Sequence, residues 1–186
     1  EAIILPKTQS FDFLATLAPM IDFKNKLVPL IETSRAIETV TQIAAFKDVV
    51  GLFFGAADAS ASLGCKLAWE PLLYARHRVV LAASMFNLFT IDAPYFYIDK
   101  MAGLKEEAEA VKNLGFTGKA AIHPDQIDYI NEAFSPSAEE KAEAKKVLEE
   151  YQKSGGGAIK VDGQMIDEPI AEAMRLKITL GEEEKK

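Results

Sequence analysis

The sequence predicts an α/β fold with a parallel sheet, on two observations. Short apolar or β-branched runs alternate along the chain with longer stretches of helical period. One run, Val49–Gly55 (VVGLFFG), is apolar on both faces, as expected of a parallel strand that helices cover on each side. Such alternation is typical of consecutive βαβ units.

The individual elements follow in order along the chain. The predicted strands are Ile3–Pro6, Lys26–Glu32, Val49–Gly55, Leu88–Asp92 and Lys119–Ile122. The predicted helices, whose apolar residues recur on one face, are Phe11–Phe23, Ser34–Phe46, Trp69–Met85 and Gly103–Leu114. Because consecutive strands usually pair, neighbouring strands are expected to lie side by side.

The pattern changes after His123 and Pro124. Ser137 and Glu140 form an S-x-x-E capping box that predicts the start of a helix. The triglycine Gly155–Gly157 ends this helix and predicts a flexible joint.

A short C-terminal region follows the triglycine. Asp162 and Gly163 predict a hairpin turn between two extended pieces. Pro169 predicts the start of a last helix through Leu176. The charged tail, residues 181–186, is predicted to be disordered.

Composition and charge exclude several classes of protein. The 186 residues carry a formal net charge of −7, which argues against nucleic-acid binding because phosphate backbones need a basic face. No apolar run reaches the length of about 18 residues that a bilayer requires, so no membrane partner is expected. With Cys65 as the single cysteine, no intrachain disulfide is possible, which predicts a reducing, cytoplasmic location.

Three acids, Glu32, Asp58 and Asp92, lie at the C-terminal ends of predicted strands, where the active sites of parallel α/β folds are found. Glu32 and Asp58 follow neighbouring strands and are expected to converge. Two carboxylates brought together repel unless one is protonated or a cation lies between them, and Mg²⁺ or Mn²⁺ is the natural partner. The alternative is structural: one acid caps the following helix and the other pairs with a lysine.

Several runs together resemble one known family. They are LPKTQS, LVPLIETSRAI, GLFFGAADASASLG, PLLYARHRVVLAA, GFTGKAAIHPDQIDYINEAFSPSAEE and DGQMIDEP. In this order and spacing they resemble the citrate lyase beta-subunit family, from near residue 3 to residue 178. That family belongs to the HpcH/HpaI superfamily of metal-dependent 2-oxo-acid aldolases and malyl- and citramalyl-CoA lyases.

The resemblance implies a set of site residues around a magnesium ion. Glu32 and Asp58 match the family's metal ligands, and Glu32 is thereby a catalytic residue. The backbone around Ala56, Ala57 and Asp58 matches the segment that binds the carboxylate of the 2-oxo acid, at a helix N-terminus that favours an anion. Position alone, at the end of the first predicted strand, points Lys7 to the same rim as a substrate-binding candidate. The citrate lyase subgroup usually has Glu where this chain has Ala57, as the 2-oxo-acid aldolases do.

DGQMIDEP resembles the lid of the CoA lyases, whose aspartate reaches a neighbouring subunit's active site. The matching residue, Asp167, is expected to be catalytic, whereas the structural alternative is that it caps the last helix, and both roles are compatible.

Weaker candidates are basic. Arg76, His77 and Arg78 are interpreted as a solvated helix face, with contact to CoA phosphates as the alternative. His123, in the family's IHP motif, either orients the substrate or packs in its loop.

The family's fold is a (β/α)₈ barrel of the phosphoenolpyruvate/pyruvate type, with a C-terminal helical lid. Such a barrel needs about 250 residues. Because only five strands are predicted, the first three βα units are expected to be missing from this sequence, as is the family's early arginine. Residues 1–134 then form the C-terminal part of the barrel, residues 135–180 the helix and lid, and residues 181–186 the tail.

The implied activity is a Mg²⁺-dependent retro-Claisen cleavage. A citryl, citramalyl or malyl thioester, on CoA or an acyl carrier protein, breaks into a 2-oxo acid and an acyl thioester. The family's trimers or hexamers, with a shared lid, are expected here. Two alternatives stay open: a 2-oxo-acid aldolase acting on free acids, which CoA thioesters would not affect, and a non-catalytic relative that binds acyl-CoA or a partner without turnover.

Overall fold

The computed structural model describes residues 2–20, 26–155 and 157–183. The chain divides into two compact units, Glu1–Ile130 and Asn131–Lys186.

The first unit is built on a five-stranded parallel sheet. Its strands are β1 (Ala2–Leu5), β2 (Lys26–Ile31), β3 (Gly51–Phe54), β4 (Phe89–Asp92) and β5 (Gly118–Lys119). They pair in sequential order, each parallel to its neighbours. The predicted α/β class and parallel sheet are confirmed, and the carboxyl ends of all five strands therefore lie at one edge.

Helices connect these strands. Those assigned within the described residues up to 134 are α1 (Phe11–Leu17), α2 (Ser34–Glu38), α3 (Val40–Ala44), α4 (Ala56–Leu63), α5 (Trp69–Met85), α6 (Met101–Leu114) and α7 (Ile127–Phe134). The prediction for α5 is confirmed over its whole length. Two predicted helices are shorter or divided, α7 was not predicted, and for α4 only its start at Ala56–Asp58 was expected.

The helix predicted over residues 11–23 ends early. A 3₁₀ turn, Ala18–Met20, follows α1, and Pro19 within it has no N–H for an α-helical hydrogen bond. Residues 21–23 of that prediction lie outside the described residues.

The helix predicted over residues 34–46 divides at Thr39, which joins α2 to α3 with φ −98° and ψ 13°. The Thr39 hydroxyl donates to the carbonyl of Arg35 in the preceding turn and to that of the distant Gln9, and this side-chain bonding competes with a continuous helix.

The core of the first unit lies where the sheet packs on its helices. Leu27, Ile31, Leu52 and Phe54 are almost fully buried in the sheet. Buried residues of the helices complete the core: Leu14, Val40, Ile43, Leu72, Val79 and Leu104. Burying this apolar surface is the main favourable term in folding.

The second unit contains α8 (Ala138–Lys153), the antiparallel hairpin β6 (Ile159–Val161) and β7 (Gln164–Ile166), and α9 (Glu168–Glu183). The predicted capping box is confirmed, because Ser137 Oγ accepts from the Glu140 N–H at 3.0 Å and Glu140 Oε2 accepts from the Ser137 N–H at 2.8 Å. The predicted turn is also confirmed, with φ 46° at Asp162 and 90° at Gly163.

The last helix is longer than predicted. Ile170, Met174 and Ile178 pack against the buried cluster of this unit, four residues apart along α9. Ile178 lies beyond Leu176, the predicted end of the helix, and continues this apolar stripe at helical spacing. The helix therefore reaches Glu183, three residues into the predicted disordered tail, and residues 184–186 lie outside the described residues.

Among the described residues, no helix has the length and apolar content needed to cross a membrane.

We expect the capping box to stabilise α8 measurably. Ser137→Ala removes the acceptor for the Glu140 N–H and should lower the free energy of unfolding by about 1 kcal/mol. Chemical denaturation monitored by circular dichroism measures this change. The control is Ser84→Ala within α5, where the hydroxyl bonds only its own helix's Leu81 carbonyl, and it should leave stability unchanged or slightly raised. Equal effects of the two substitutions would contradict the capping role.

Candidate active site

Glu32 and Asp58 are placed at one edge of the sheet by the pairing of β2 with β3. Leu30 is in register with Phe53 and Ile31 with Phe54. Glu32 directly follows β2, and Asp58 lies in the first turn of α4, which begins two residues after β3. The predicted convergence of these acids therefore has a simple origin in the parallel register.

Gly55 allows the closest approach of these two segments. A Cβ on Gly55 would lie 2.6 Å from the Cβ of Glu32 and 3.0 Å from its Oε2. Any larger residue would displace Glu32, which is only 3% exposed.

Lys7 brings the end of β1 to the same place. Its backbone N–H donates to Glu32 Oε1 at 2.8 Å, and its ammonium donates to Asp58 Oδ1 at 2.5 Å. The ammonium nitrogen also lies 3.7 Å from Glu32 Oε1. Lys7 has φ 53°, a left-handed conformation that costs energy for a non-glycine residue and is common at functional sites. Three predicted site residues thus meet at one point.

The charges in this group stabilise one another. The hydrogen bond to Asp58 raises the pKa of Lys7 above its ordinary value, with the charge of Glu32 acting in the same direction and desolvation opposing it. The same hydrogen bond lowers the pKa of Asp58 below its ordinary value, against desolvation. Lys7 and Asp58 are therefore both charged at neutral pH, although more than half of each side chain is exposed.

The arrangement fits a hard divalent cation. The Lys7 ammonium marks a point that carboxylate oxygens approach from two strand ends, and oxygen is the ligand that Mg²⁺ prefers. Among the described residues, no group of three or more His, Cys, Asp and Glu side chains is placed to hold a metal ion. Mg²⁺ is ordinarily bound by one or two carboxylates with water and substrate oxygens completing its shell, so two are sufficient.

A cavity of about 210 Å³ lies against Asp58. Ala56, Ala57 and Asp58 line it together with apolar side chains that include Leu30, Phe53 and Phe96. The N-cap of α4 is Gly55, which provides no side-chain cap for the first turn. Backbone N–H groups at such a helix start favour an anion, so this cavity places the Asp58 carboxylate beside a backbone that favours an anion.

Asp92, the third acid at a strand end, belongs to a different group. It is fully buried, with Oδ1 accepting from Arg76 Nε at 2.8 Å and Oδ2 accepting from Lys119 Nζ at 2.8 Å. Lys119 Nζ also donates to Glu107 Oε1 at 2.7 Å. We call these four residues the Asp92 cluster.

The interpretation of Arg76 as part of a solvated helix face is wrong. Arg76 is 3% exposed, whereas His77 is exposed and Arg78 reaches the Glu38 carbonyl at 2.7 Å. A usable signal was present in the sequence, since Arg76 falls on the same helical stripe as the buried Leu72 and Val79.

His123 caps a short turn. Its Nδ1 accepts from the Asp125 N–H at 3.3 Å at the start of the 3₁₀ turn Pro124–Gln126. This contact favours the loop-packing alternative for His123 over substrate orientation.

Asp167 lies in the second unit, immediately before α9. Its Oδ1 accepts from the Ile170 N–H at 3.3 Å, and its carbonyl accepts from the Ala171 N–H at 2.9 Å. The structural alternative for Asp167, a helix cap, is therefore present, and it leaves the second carboxylate oxygen for other contacts.

Comparison with known proteins identifies the family. The family model described as HpcH/HpaI aldolase/citrate lyase matches residues 2–124. The chain therefore belongs to the HpcH/HpaI aldolase/citrate lyase family, as the sequence motifs indicated.

Individual relatives agree with this membership. The chain is 33% identical to human mitochondrial citramalyl-CoA lyase, covering 97% of this chain and 60% of the relative. It is 34% identical to a citrate lyase subunit beta-like protein of Mycobacterium tuberculosis, covering 90% of this chain and 62% of that protein. The chain spans about three-fifths of the length of these curated relatives.

Solved structures are similar as well. The protein CitE of M. tuberculosis, in complex with magnesium, acetoacetate and coenzyme A, superposes with a TM-score of 0.86 at 32% identity, covering 97% of this chain and 68% of that one. RipC from Yersinia pestis superposes with a TM-score of 0.70 at 42% identity, covering 74% of this chain and 65% of that one.

We expect the Lys7 ammonium to control the acidity of Asp58. Lys7→Met removes the hydrogen bond that chiefly lowers the pKa of Asp58, so that pKa should rise toward its ordinary value. A carboxyl titration followed by NMR measures it. Lys26→Met, at the opposite end of β2 from Glu32, is the matched control and should change nothing. An unaltered Asp58 titration in Lys7→Met would show that the contact is absent in solution.

Proposed function

We propose that this chain carries the metal-binding part of a Mg²⁺-dependent carbon–carbon lyase. Its substrate is a 3-hydroxy acyl thioester with a citryl, citramalyl or malyl group, and its products are a 2-oxo acid and an acyl thioester. The observation that carries the proposal is that Glu32 and Asp58, at adjacent strand ends, both contact one cation, the ammonium of Lys7. The names of the relatives, which include citramalyl-CoA lyase and citrate lyase subunit beta, support it.

Glu32 and Asp58 would hold Mg²⁺, with Mn²⁺ as a possible substitute, and the ion would supply charge stabilisation to the oxygen that becomes an alkoxide. Glu32 suits this role because the Lys7 N–H and the close approach of Gly55 fix its carboxylate. The mostly exposed Lys7 side chain is able to swing away from the pair and contact the substrate.

The start of α4 would orient the 2-oxo-acid part of the substrate. The backbone of Ala56, Ala57 and Asp58 lines the adjoining cavity, and the small side chains allow a carboxylate to approach their N–H groups. A carboxylate bound there lies beside Asp58, so that anion binding and cation binding act on neighbouring atoms of one substrate.

Asp167 would exchange a proton with the carbon of the acyl thioester enolate. A carboxylate at a helix start between a hairpin and α9 suits a lid residue, and the cap to Ile170 fixes its orientation. In the family this lid serves a neighbouring subunit, so we propose a homotrimer or homohexamer.

The sequential parallel order of β1 to β5 supports a (β/α)₈ barrel of the phosphoenolpyruvate/pyruvate type for the whole protein, with residues 1–134 as part of it and residues 135–180 as helix and lid. The free Cys65 is compatible with the proposed cytoplasmic location.

A second candidate is a 2-oxo-acid aldolase that acts on free acids. Ala57 favours it, because the aldolases of this superfamily have a small residue before the metal-binding aspartate. Cleavage of free 3-hydroxy acids that CoA thioesters neither replace nor stimulate would favour the aldolase. Acyl-CoA binding without any release of 2-oxo acid would favour a non-catalytic relative.

The metal pair is tested on the full-length protein with citramalyl-CoA and malyl-CoA. Glu32→Gln and Asp58→Asn each remove a charged oxygen ligand and should lower the Mg²⁺-dependent release of 2-oxo acid by about 100-fold or more. Glu109→Gln, on the exposed face of α6, is the matched control and should retain full activity. Activity that survives in both site variants, or that persists in EDTA, would overturn the metal role.

The two roles of Asp167 are separable by substitution. Asp167→Asn keeps a side-chain acceptor for the Ile170 N–H and should leave stability within about 0.5 kcal/mol, because Asn caps helices as well as Asp. The same change removes the exchangeable proton and should lower turnover by about 100-fold or more. Asp167→Ala should reduce both stability and turnover. Full activity in Asp167→Asn would leave Asp167 as a helix cap alone.

A further inference from the structure

Asp167 lies between two residues that are both held in place. Ile166, immediately before it, is fully buried in the apolar cluster of the second unit. Glu168, immediately after it, is the first residue of α9 and is bound by side chains from two helices. The other buried members of the cluster are Val147, Leu148, Tyr151, Val161 and Ala171. The backbone on each side of Asp167 is therefore attached to α8.

Glu168 makes two side-chain contacts. Its Oε1 accepts from Arg175 Nη1 at 2.6 Å, two turns further along α9. Its carboxylate also accepts from the hydroxyl of Tyr151 on α8. The Glu168 and Arg175 side chains are 57% and 45% exposed, and an ion pair so exposed adds little stability by itself. The contact that ties the start of α9 to the rest of the unit is therefore the one with Tyr151.

Tyr151 provides a fixed point for this contact. Its residue is only 6% exposed, and its ring packs in the apolar cluster, which restricts its rotamer. Its hydroxyl donates to Glu168 and accepts from the backbone N–H of Gly157, the last residue of the triglycine. One hydroxyl thus joins α8, the segment that leads into the hairpin and the start of α9.

The position of α9 matters because of the chemistry proposed for Asp167. A carboxylate that exchanges a proton must lie within hydrogen-bond reach of the reacting atom, and a displacement of about 1 Å costs about 100-fold in rate. The cap from Asp167 Oδ1 to the Ile170 N–H orients the side chain only relative to its own helix. The contact between Tyr151 and Glu168 supplies the missing constraint, since it orients that helix relative to α8.

We propose that Tyr151 and Glu168 are positioning residues for Asp167, and that their hydrogen bond holds the start of α9 where the second oxygen of Asp167 can exchange a proton. The inference rests on the proposed function, in which Asp167 carries out this exchange, and it adds the residues that place its carboxylate. Both residues act through Asp167.

Tyr151→Phe tests the hydroxyl, because it removes that group and keeps the ring in the cluster. In the full-length protein, assayed with citramalyl-CoA and malyl-CoA where circular dichroism shows the variant folded, kcat should fall about tenfold. KM and the Mg²⁺ dependence should stay within about twofold, because Glu32 and Asp58 are held by strands of the first unit. A purely structural hydroxyl would leave kcat per folded molecule unchanged, and that result would overturn the inference.

Substitutions of Glu168 test the other partner and remain informative if Tyr151→Phe does not fold. Glu168→Gln keeps an acceptor oxygen for the Tyr151 hydroxyl and should retain kcat within about threefold, whereas Glu168→Ala should match Tyr151→Phe. The double variant should be no slower than either single variant, because both changes remove one contact. Independent losses, which multiply to about 100-fold in the double variant, would contradict the shared contact.

Lys146→Met is the matched control on α8. It breaks the contact of Lys146 Nζ with Asp162 Oδ2 at 2.7 Å, which also joins α8 to the hairpin but at the turn remote from Asp167, and it should retain kcat. An equal loss in Lys146→Met would contradict a specific role for Tyr151.

Asp167→Asn separates the inference from the proposed function. Normal kcat in Tyr151→Phe and Glu168→Ala, together with an inactive Asp167→Asn, overturns the inference and leaves the proposed function intact. Full activity in Asp167→Asn instead contradicts the proposed role of Asp167 itself.

Discussion

The parallel register of β2 with β3 is the constraint on which the candidate site depends. Because Ile31 is level with Phe54, the residues that leave the two strands emerge side by side. A slip of one residue would turn Glu32 to the other face of the sheet. The register is supported by the burial of Ile31 and Phe54 and by the close approach of Gly55 to Glu32. The packing of the sheet and the geometry of the site therefore depend on the same strand register.

A second requirement is electrostatic, since two carboxylates at neighbouring strand ends repel. Lys7 meets it from β1, through its backbone N–H to Glu32 and its ammonium to Asp58. Lys7 and Asp58 stay ionised because each charge favours its opposite, which raises the pKa of Lys7 and lowers the pKa of Asp58. Because the Lys7 ammonium is exposed and lies on a flexible side chain, another cation can replace it between the two carboxylates.

The sequence predicted the candidate site best for residues that lie at the ends of predicted strands. Glu32, Asp58 and Lys7 were predicted to share one rim because strand positions follow from apolar runs, and the structure brings them together. Arg76 was misjudged, since charged residues are rarely buried and only its place on the apolar stripe of α5 signalled burial. The break at Thr39 depends on a hydroxyl contact to Gln9, distant in sequence, which no local pattern contains.

The two charged groups of the first unit differ in a way that decides which of them binds a metal ion. The Asp92 cluster pairs two cations with two carboxylates, and its buried oxygens are already committed to Arg76 and Lys119. Glu32 and Asp58 share a single ammonium, so their group carries one uncompensated negative charge and opens to solvent at Asp58. A divalent cation gains nothing in the first group, whereas in the second it meets excess charge, an exposed ligand and a displaceable competitor.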